Sequence, residues 1–462
     1  MDTFMSKNVS PSPKNFAAFL PWACRHLDID TIPIITIDKQ NDLSLGSGKQ
    51  QSRDGKSKFL HDLAMDVNLD QSSSASTNFG IKHNIPVCYI QAMYDSKDNL
   101  VQIKFNKNTY IPRAILRILL LIEQFYKYLT AIHIDGGLKY DGLYELDKLV
   151  SASNITEVIL DHTVVKGAQY HCLLDHKSKL KYLSLAGCKL MDDGVKEIAN
   201  RLVHPLAASK SLKVLNLSSN QITDVGAQYV GDMLRTNRQL AYLNLASNMI
   251  TDIGADSILN SLVQFPLTTD ELRAMKLRHI TYLKHILKQR NIKRIPVDKK
   301  IDKKKTGKPV PLTGKKSKSE TIEKAVMTML NPDTKIESSI YYDPTTFNVE
   351  PFNDPYSLEN TNIINNVKYC LGNNTLNYLS LAYNNFSYFS IKRLYNVLSA
   401  QRSQTKAPKG LVNVCIEGNK IPQCCTEMTL IEEIIKMGIG PSLTSATSTK
   451  RATVIKVSSS KL

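Results

Sequence analysis

One segment of the chain recurs in register, and this recurrence constrains the fold more than any other feature. The segment LKYLSLAGCKLMDDG begins at Leu180, and similar segments begin at Leu212, Leu240 and Leu376. The first three starts are 32 and 28 residues apart. A repeat of this length is typical of solenoids, in which each repeat buries its apolar face only against its neighbours. The recurrence therefore predicts a stacked fold that leaves one surface free, and it makes binding the expected function.

Each repeat contains two periodicities. In the second of these segments, Leu215 and Leu217 alternate with polar residues, which predicts a short strand with one buried face. Further along, Val230 and Leu234 follow at a spacing of four, which predicts a helix packed on that strand. Asn220 lies where the chain leaves the strand, and a buried amide there can satisfy backbone groups of the adjacent repeat.

The pattern LxxLxLxxN/CxI, followed by a glycine and a helix, resembles the ribonuclease-inhibitor-like class of leucine-rich repeats. Three weaker repeats, which begin at Leu129, Ile155 and Leu411, become visible with the same period. The resemblance implies an α/β leucine-rich repeat solenoid, a horseshoe with parallel inner strands and outer helices. The step from Leu240 to Leu376 is 136 residues, which is too long for one repeat, so an insert must interrupt the array.

Composition and periodicity divide the chain into six predicted segments. The first is poor in periodicity and contains a serine-rich stretch, and the last is rich in Ser, Thr and Lys, which favours disorder in both. The segments are a mostly disordered N-terminal segment (1–80), an N-terminal hairpin and capping helix (81–128), leucine-rich repeats (129–266), a basic helical or disordered insert (267–371), C-terminal leucine-rich repeats (372–435) and a disordered tail (436–462).

Positive charge is concentrated in the insert. Residues 271–320 contain 17 Lys or Arg and 4 Asp or Glu, so they carry +13 of the formal net charge of +17. Such a segment attracts acidic polymers or membranes, whereas a diffuse excess of charge mainly aids solubility. Nucleic acid, an anionic membrane surface, the acidic tails of tubulin and a merely solvated helix face all stay open, although no motif for specific nucleic-acid recognition occurs. The lysines expected to make the electrostatic attachment are Lys299, Lys300, Lys303, Lys304, Lys305, Lys308, Lys315, Lys316 and Lys318.

The variable strand positions predict where a protein partner binds. In the repeat class that these segments resemble, the third, fifth and seventh positions of each strand segment line the concave surface. In the centre of the array these positions hold small polar residues and three tyrosines but no charged residue, which suits a protein or peptide ligand without heavy charge. Tyrosine favours such binding because it buries a large area at low entropy cost. Tyrosine also has high strand propensity, so it could simply pave the sheet. The predicted protein-binding residues are Tyr182, Ser184, Asn216, Tyr242, Asn244, Tyr378 and Ser380.

We expect no enzyme activity, no cofactor and no metal. The chain lacks the short motifs of phosphate, dinucleotide, serine-hydrolase and zinc-protease sites. His162, His171, Cys172 and His176 cluster in sequence, but their spacing does not match a zinc site. Eight scattered cysteines without a CxxC pair, no signal-peptide stretch and no apolar run of membrane-spanning length predict a cytoplasmic location.

The layout as a whole is similar to the leucine-rich repeat-containing protein 71 group of ciliated organisms: about five repeats, a Lys-rich insert, two more repeats and a short tail. This resemblance implies a non-enzymatic adaptor of the ciliary or flagellar axoneme, with tubulin or other axonemal proteins as partners. Two alternatives stay open. One is a GTPase-activating protein of the same repeat class, although such proteins typically carry an acidic tail and this tail is basic. The other is a ubiquitin-ligase substrate receptor, since the segment before the first repeat faintly resembles an F-box.

Overall fold

The computed structural model describes residues 10–39, 86–175, 178–293, 352–404, 410–422 and 425–438. They divide into two compact units. The first, called the solenoid below, comprises the residues up to Leu259 and from Asn374 onward, and the second, the insert module, spans Asn260–Asn373.

The solenoid is built on one ten-stranded sheet. Neighbouring strands are parallel, except that β2 and β3 form an antiparallel pair. In sheet order the strands are β1 (Ile32–Lys39), β2 (Val87–Tyr94), β3 (Leu100–Phe105), β4 (Ala131–Ile134), β5 (Glu157–Ile159), β6 (Tyr182–Ser184), β7 (Val214–Asn216), β8 (Tyr242–Asn244), β12 (Tyr378–Ser380) and β13 (Asn413–Cys415).

Helices follow most of these strands and complete the repeats. Their inward faces are apolar, and in α6 the buried residues include Val230 and Leu234. The helices of the solenoid are α1 (Phe16–His26), α2 (Arg113–Ile122), α3 (Tyr140–Ala152), α4 (Met191–Arg201), α5 (Ala208–Ser211), α6 (Asp224–Thr236), α7 (Asp252–Asn260), α9 (Tyr388–Ser403) and α10 (Thr426–Gly438), with short 3-10 turns at Glu123–Phe125 and Tyr170–Leu174. The predicted α/β solenoid with parallel inner strands and outer helices is confirmed, and its sheet is open rather than closed into a barrel.

The array continues across the insertion. Strand β12 pairs directly with β8, with Tyr378 opposite Tyr242 and Ser380 opposite Asn244. The two repeats on either side of the 136-residue step are therefore neighbours in the sheet, as the recurrence predicts.

An asparagine ladder connects successive repeats. The Asn248 Oδ1 accepts hydrogen bonds from the backbone N–H groups of Asn220 (2.9 Å) and Ile222 (3.0 Å) of the preceding repeat. Its Nδ2 donates to the Leu217 carbonyl at 3.1 Å. Asn384 makes the equivalent bonds, and in the earlier repeat the Cys188 thiol donates to the Leu160 carbonyl at 3.1 Å. Because these amides are buried, the backbone groups they satisfy would otherwise be left unpaired.

A second ladder of carboxylates joins the helix N-termini. Oδ1 of Asp192, in the first turn of α4, accepts from the backbone N–H groups of Thr223 (2.9 Å) and Gly226 (3.0 Å) in the next repeat, and its Oδ2 accepts from Thr223 Oγ1 (2.6 Å). Asp224 repeats these bonds to Thr251 and Gly254. The sequence predicts these aspartates only as helix-start residues; the structure shows that each caps the helix of the following repeat.

This carboxylate ladder explains why glycine recurs near the helix start. A Cβ at Gly226 would overlap the Asp192 carboxylate, and a Cβ at Gly254 would overlap the Asp224 carboxylate. In the next repeat the corresponding residue is Ser390, whose hydroxyl instead donates to the carboxylate of Asp252.

The N-terminal end of the solenoid includes two ordered elements within residues 1–80, the segment for which the sequence predicts mostly disorder. Helix α1 buries Phe16 and Leu20, and β1 pairs in parallel with β2 over its whole length. Strand β1 extends the sheet beyond the first repeat and α1 packs against it, and the remaining residues of that segment lie outside the described part of the chain. Helix α2 provides an apolar face next to them, with Ile115, Leu116 and Leu119 buried.

The insert module contains a helix and a small sheet. Its helix is α8 (Thr269–Lys293), and its antiparallel sheet has the order β10 (Thr361–Ile364), β11 (Val367–Cys370) and β9 (Phe265–Pro266). The predicted capping box is present, since the backbone N–H groups of Thr268 and Glu271 each donate to the other's side chain. The sheet itself is absent from the sequence prediction, which has only helix or disorder between residues 267 and 371.

The core of the insert module is small and contains a buried ion pair. Phe265, Tyr356 and Cys370 are buried together. Beside them the Arg278 guanidinium donates from Nε (2.6 Å) and Nη2 (3.1 Å) to the Asp354 carboxylate, whose side chain is fully buried. The module therefore has its own interior.

Candidate partner-binding surface

The inner face of the solenoid is defined here by the third, fifth and seventh positions of its strand segments. The residues between them are core: Leu183, Leu215 and Leu243 are buried. Strand register places the third positions side by side in one row. In sheet order this row holds Ala131, Glu157, Tyr182, Val214, Tyr242, Tyr378 and Asn413.

Two of the predicted tyrosines form a stacked pair. The rings of Tyr242 and Tyr378 lie on adjacent strands with centroids 4.0 Å apart and planes 1° from parallel. The Tyr378 hydroxyl lies 3.2 Å from the Cys415 thiol. Burial, together with these hydrogen-bonding neighbours, raises the pKa of Tyr378 well above its ordinary value, so the phenol is neutral at physiological pH.

The third predicted tyrosine stands apart from this pair. Tyr182 is separated from Tyr242 by the strand that carries Val214. Burial raises the pKa of Tyr182, and the carboxylates of Asp161 and Glu157 raise it further. The three tyrosines therefore share a row without forming a continuous stack.

The predicted serines are covered by their neighbours. Ser184 is 1% exposed and Ser380 is 4% exposed. The Ser184 hydroxyl donates to Asp161 Oδ1 (2.5 Å) and accepts from Asn216 Nδ2 (2.9 Å). Both serines expose little area to a ligand. The surface predicted to contact a partner is therefore limited to the three tyrosines and the side-chain amides of Asn216 and Asn244.

The predicted asparagines are half-buried and hold the turns that follow their strands. Asn216 Oδ1 accepts from the backbone N–H of Ser218 at 3.2 Å, and Asn244 Oδ1 accepts from Ala246 at 3.0 Å. These bonds fix the orientation of both amides, while part of each side chain remains accessible.

The N-terminal part of the inner face carries more charge than its centre. The His133 Nε2 lies 2.9 Å from Glu157 Oε1, and Gln102 Nε2 lies 2.8 Å from His133 Nδ1. The repeat pattern predicts the third-position row only from the first repeat onward, because β1–β3 have no repeat signature. The alternation of Gln102 with buried Ile103 was the signal that could have extended it.

The nine lysines predicted to make the electrostatic attachment lie between residues 299 and 318, outside the described residues. His176 of the sequence cluster considered for a metal also lies outside them. Within the described ranges, no three His, Cys, Asp or Glu side chains are grouped so that they could hold a metal ion. No helix in the same ranges is both long and apolar enough to cross a membrane.

The segment before the first repeat, considered above for an F-box, packs its apolar residues inside the solenoid. Helix α2 buries Ile115, Leu116, Ile118, Leu119 and Ile122 within this chain. Its apolar pattern is therefore explained by the N-terminal cap.

Comparison with known families supports the presence of leucine-rich repeats. The Leucine Rich repeat family matches three consecutive stretches, residues 176–199, 208–231 and 236–259. Each stretch covers one strand and most of the helix that follows it, from β6 to α7. No curated protein matches the chain. The matches and the fold together support a leucine-rich repeat protein, a class whose repeats suggest protein partners.

Proposed function

We propose that the chain is a non-enzymatic protein-interaction scaffold whose inner face holds a protein partner. The stacked pair of Tyr242 and Tyr378 is the observation that carries this proposal. Both rings are only half-buried and both stand on strands that are fixed in register, so they present rigid apolar area with little entropy to lose. Neighbouring amides at Asn216 and Asn244 add hydrogen-bonding capacity to the same surface.

The experiment replaces Tyr182, Tyr242 and Tyr378 with alanine in the full chain. We expect loss of specific partners in quantitative co-purification, because the variant removes the aromatic area and leaves the buried leucines in place. A matched control replaces three exposed tyrosines outside the inner face, Tyr128, Tyr140 and Tyr144, which are 54% to 61% exposed. Retention of every partner by the inner-face variant, or equal loss in the control, contradicts the proposal.

We further propose a place for this scaffold in the cytoplasm, as a structural or regulatory component of the ciliary or flagellar axoneme. The support is the similarity of the layout to the leucine-rich repeat-containing protein 71 group, together with the concentration of +13 charge in residues 271–320. Acidic tubulin tails attract such a segment through charge alone. A tagged copy expressed in ciliated cells tests the location, and exclusion from cilia argues against it.

The electrostatic attachment has its own test. Changing the nine lysines between Lys299 and Lys318 to glutamine should weaken sedimentation with microtubules and reduce its salt dependence. A variant with nine lysines changed in the described repeats, where charge is diffuse, serves as the control. Unchanged sedimentation of the insert variant would show that the attachment lies elsewhere.

A further inference from the structure

The third-position row of the inner face has one gap in its aromatic series. Tyr182, Tyr242 and Tyr378 stand on β6, β8 and β12, while β7 between the first two carries Val214. Val214 is half-buried, so part of its side chain faces solvent. The position above Val214 on the sheet surface, between Tyr182 and Tyr242 in the row, is called the Val214 gap.

The size of the Val214 gap follows from the neighbouring pair. Tyr242 and Tyr378 stand one strand apart, and their ring centroids are 4.0 Å apart. Tyr182 and Tyr242 stand two strands apart, which corresponds to about 9.6 Å at the sheet floor. One planar group makes van der Waals contact with a ring on each of its two sides when the rings are about 7–8 Å apart. The gap therefore has room for one flat group, in the place where the series lacks a ring.

Charge around the gap favours a cation over a neutral ring. Glu157 stands beside Tyr182 on the side away from Val214; its side chain is 38% exposed, and its Oε1 lies 2.9 Å from His133 Nε2. Asp161 follows Glu157 at the end of the same strand, and both carboxylates act on the Tyr182 phenol. The described lysines nearest in sequence, Lys181 and Lys213, precede their strands and are exposed, so solvent screens them.

A hydrogen-bond acceptor is available beside the gap. Asn216 stands at the fifth position of the strand that carries Val214, and its Nδ2 donates to Ser184 Oγ. Its Oδ1 accepts one bond, from the backbone N–H of Ser218. An amide oxygen has two lone pairs, so it can accept a second bond from a ligand.

We propose that the Val214 gap binds the guanidinium of an arginine side chain on the protein partner, stacked between Tyr182 and Tyr242. A guanidinium is flat, positively charged and rich in donors, and it stacks on aromatic faces. An ammonium lacks the flat shape, and an aromatic ring lacks the charge. This inference rests on the proposed function, since it names the chemistry that the partner presents to the inner face.

The direct test observes the Val214 methyl groups by NMR in the full chain. The probes are N-acetyl-L-arginine methylamide, its neutral citrulline counterpart of nearly the same shape, and the lysine counterpart. We expect saturable shifts of the Val214 methyls with the arginine probe, and affinity about 2- to 30-fold lower with each of the other two. Absence of saturable shifts with arginine overturns the proposal, and equal binding of citrulline overturns its cationic part.

Variants keep the test specific. Tyr182→Leu and Tyr242→Leu should each weaken arginine binding while Val214 remains as the reporter, and the exposed control Tyr128→Leu should not. Glu157→Gln should weaken it in low salt and have less effect in high salt, because salt screens the charge. Unchanged methyl spectra elsewhere in the chain establish that each variant is folded. Full binding by both tyrosine variants overturns the stacking geometry.

The arginine site and the scaffold function can be refuted independently of each other. Val214→Tyr fills the gap with the chain's own ring and suits a strand. If the triple tyrosine variant loses its partners and Val214→Tyr retains all of them, the scaffold function stands and the arginine site is wrong. If the triple variant retains all partners while the arginine probe still shifts Val214, the site stands and the proposed function is wrong.

Discussion

The carboxylate ladder predicts a contrast between two adjacent aspartates. Asp192 and Asp193 both lie in the first turn of α4, and both are placed to interact with its helix dipole. Asp192 accepts three hydrogen bonds from the next repeat, whereas Asp193 is exposed. Comparing Asp192→Ala with Asp193→Ala therefore isolates the contribution of the inter-repeat bonds.

The expected difference is large. Each variant loses the interaction with the dipole, which contributes about 0.3–1 kcal/mol. A hydrogen bond to a charged group contributes about 1.5–3 kcal/mol, but three bonds to one carboxylate are not additive. We expect Asp192→Ala to lower the free energy of opening by about 3 kcal/mol more than Asp193→Ala, a factor of about 100 in the equilibrium constant.

Amide hydrogen exchange is the appropriate assay, because repeat arrays open locally. The reporters are the backbone N–H groups of Thr223 and Gly226, which donate to Asp192. They should exchange faster in Asp192→Ala and remain protected in Asp193→Ala. If the two variants exchange at the same rate, the carboxylate does not connect the repeats and the reasoning about the ladder is refuted.

Two further outcomes follow from buried charges. Arg278→Ala should destabilise the insert module by about 3–5 kcal/mol, because it leaves the Asp354 carboxylate buried and unpaired. The control Arg273→Ala removes an exposed pair with Asp270 and should cost less than about 1 kcal/mol. Equal amide hydrogen exchange of the module in the two variants would contradict this. Burial raises the pKa of Asp252, but hydrogen bonds from Ser387 and Ser390 outweigh this effect and hold the pKa below the ordinary 3.8. The stabilisation that Asp252 contributes is therefore present above pH 3.8, and it is lost as the pH falls through the lower pKa of the folded state. The stability gap between wild type and Asp252→Ala in urea should therefore close in acid, and a gap independent of pH would be inconsistent with this pKa.

The strands and helices of the repeats could be predicted because their signal is local and recurs. Leu215 and Leu217 alternate within one strand, and the same spacing returns in the next repeat. The pairing of β12 with β8 could also be predicted, since the recurrence itself shows which strands are equivalent. By contrast, β1 pairs with a strand about fifty residues later in the chain, and no local pattern in Ile32–Lys39 indicates that partner.

The insert sheet was within reach of sequence reasoning. Asn365 and Asn366 both have positive φ and connect β10 to β11, and asparagine in such a turn is a hairpin signal. The carboxylate ladder could not be predicted, because the shared Asp-x-Gly pattern fits a helix cap equally well whether the aspartate caps its own helix or the helix of the next repeat. The candidate surface was predicted residue by residue, and the recurrence also places Val214 between Tyr182 and Tyr242; the stacking distance between neighbouring rings, by contrast, is known only from the structure.

The two ends of the insert module are joined by a backbone hydrogen bond, in which the Asn373 N–H donates to the Ser261 carbonyl at 2.9 Å. The chain therefore enters and leaves the module at neighbouring residues. A module whose ends lie this close together can change in length, or be exchanged for another domain with adjacent termini, while the pairing of β8 with β12 is kept.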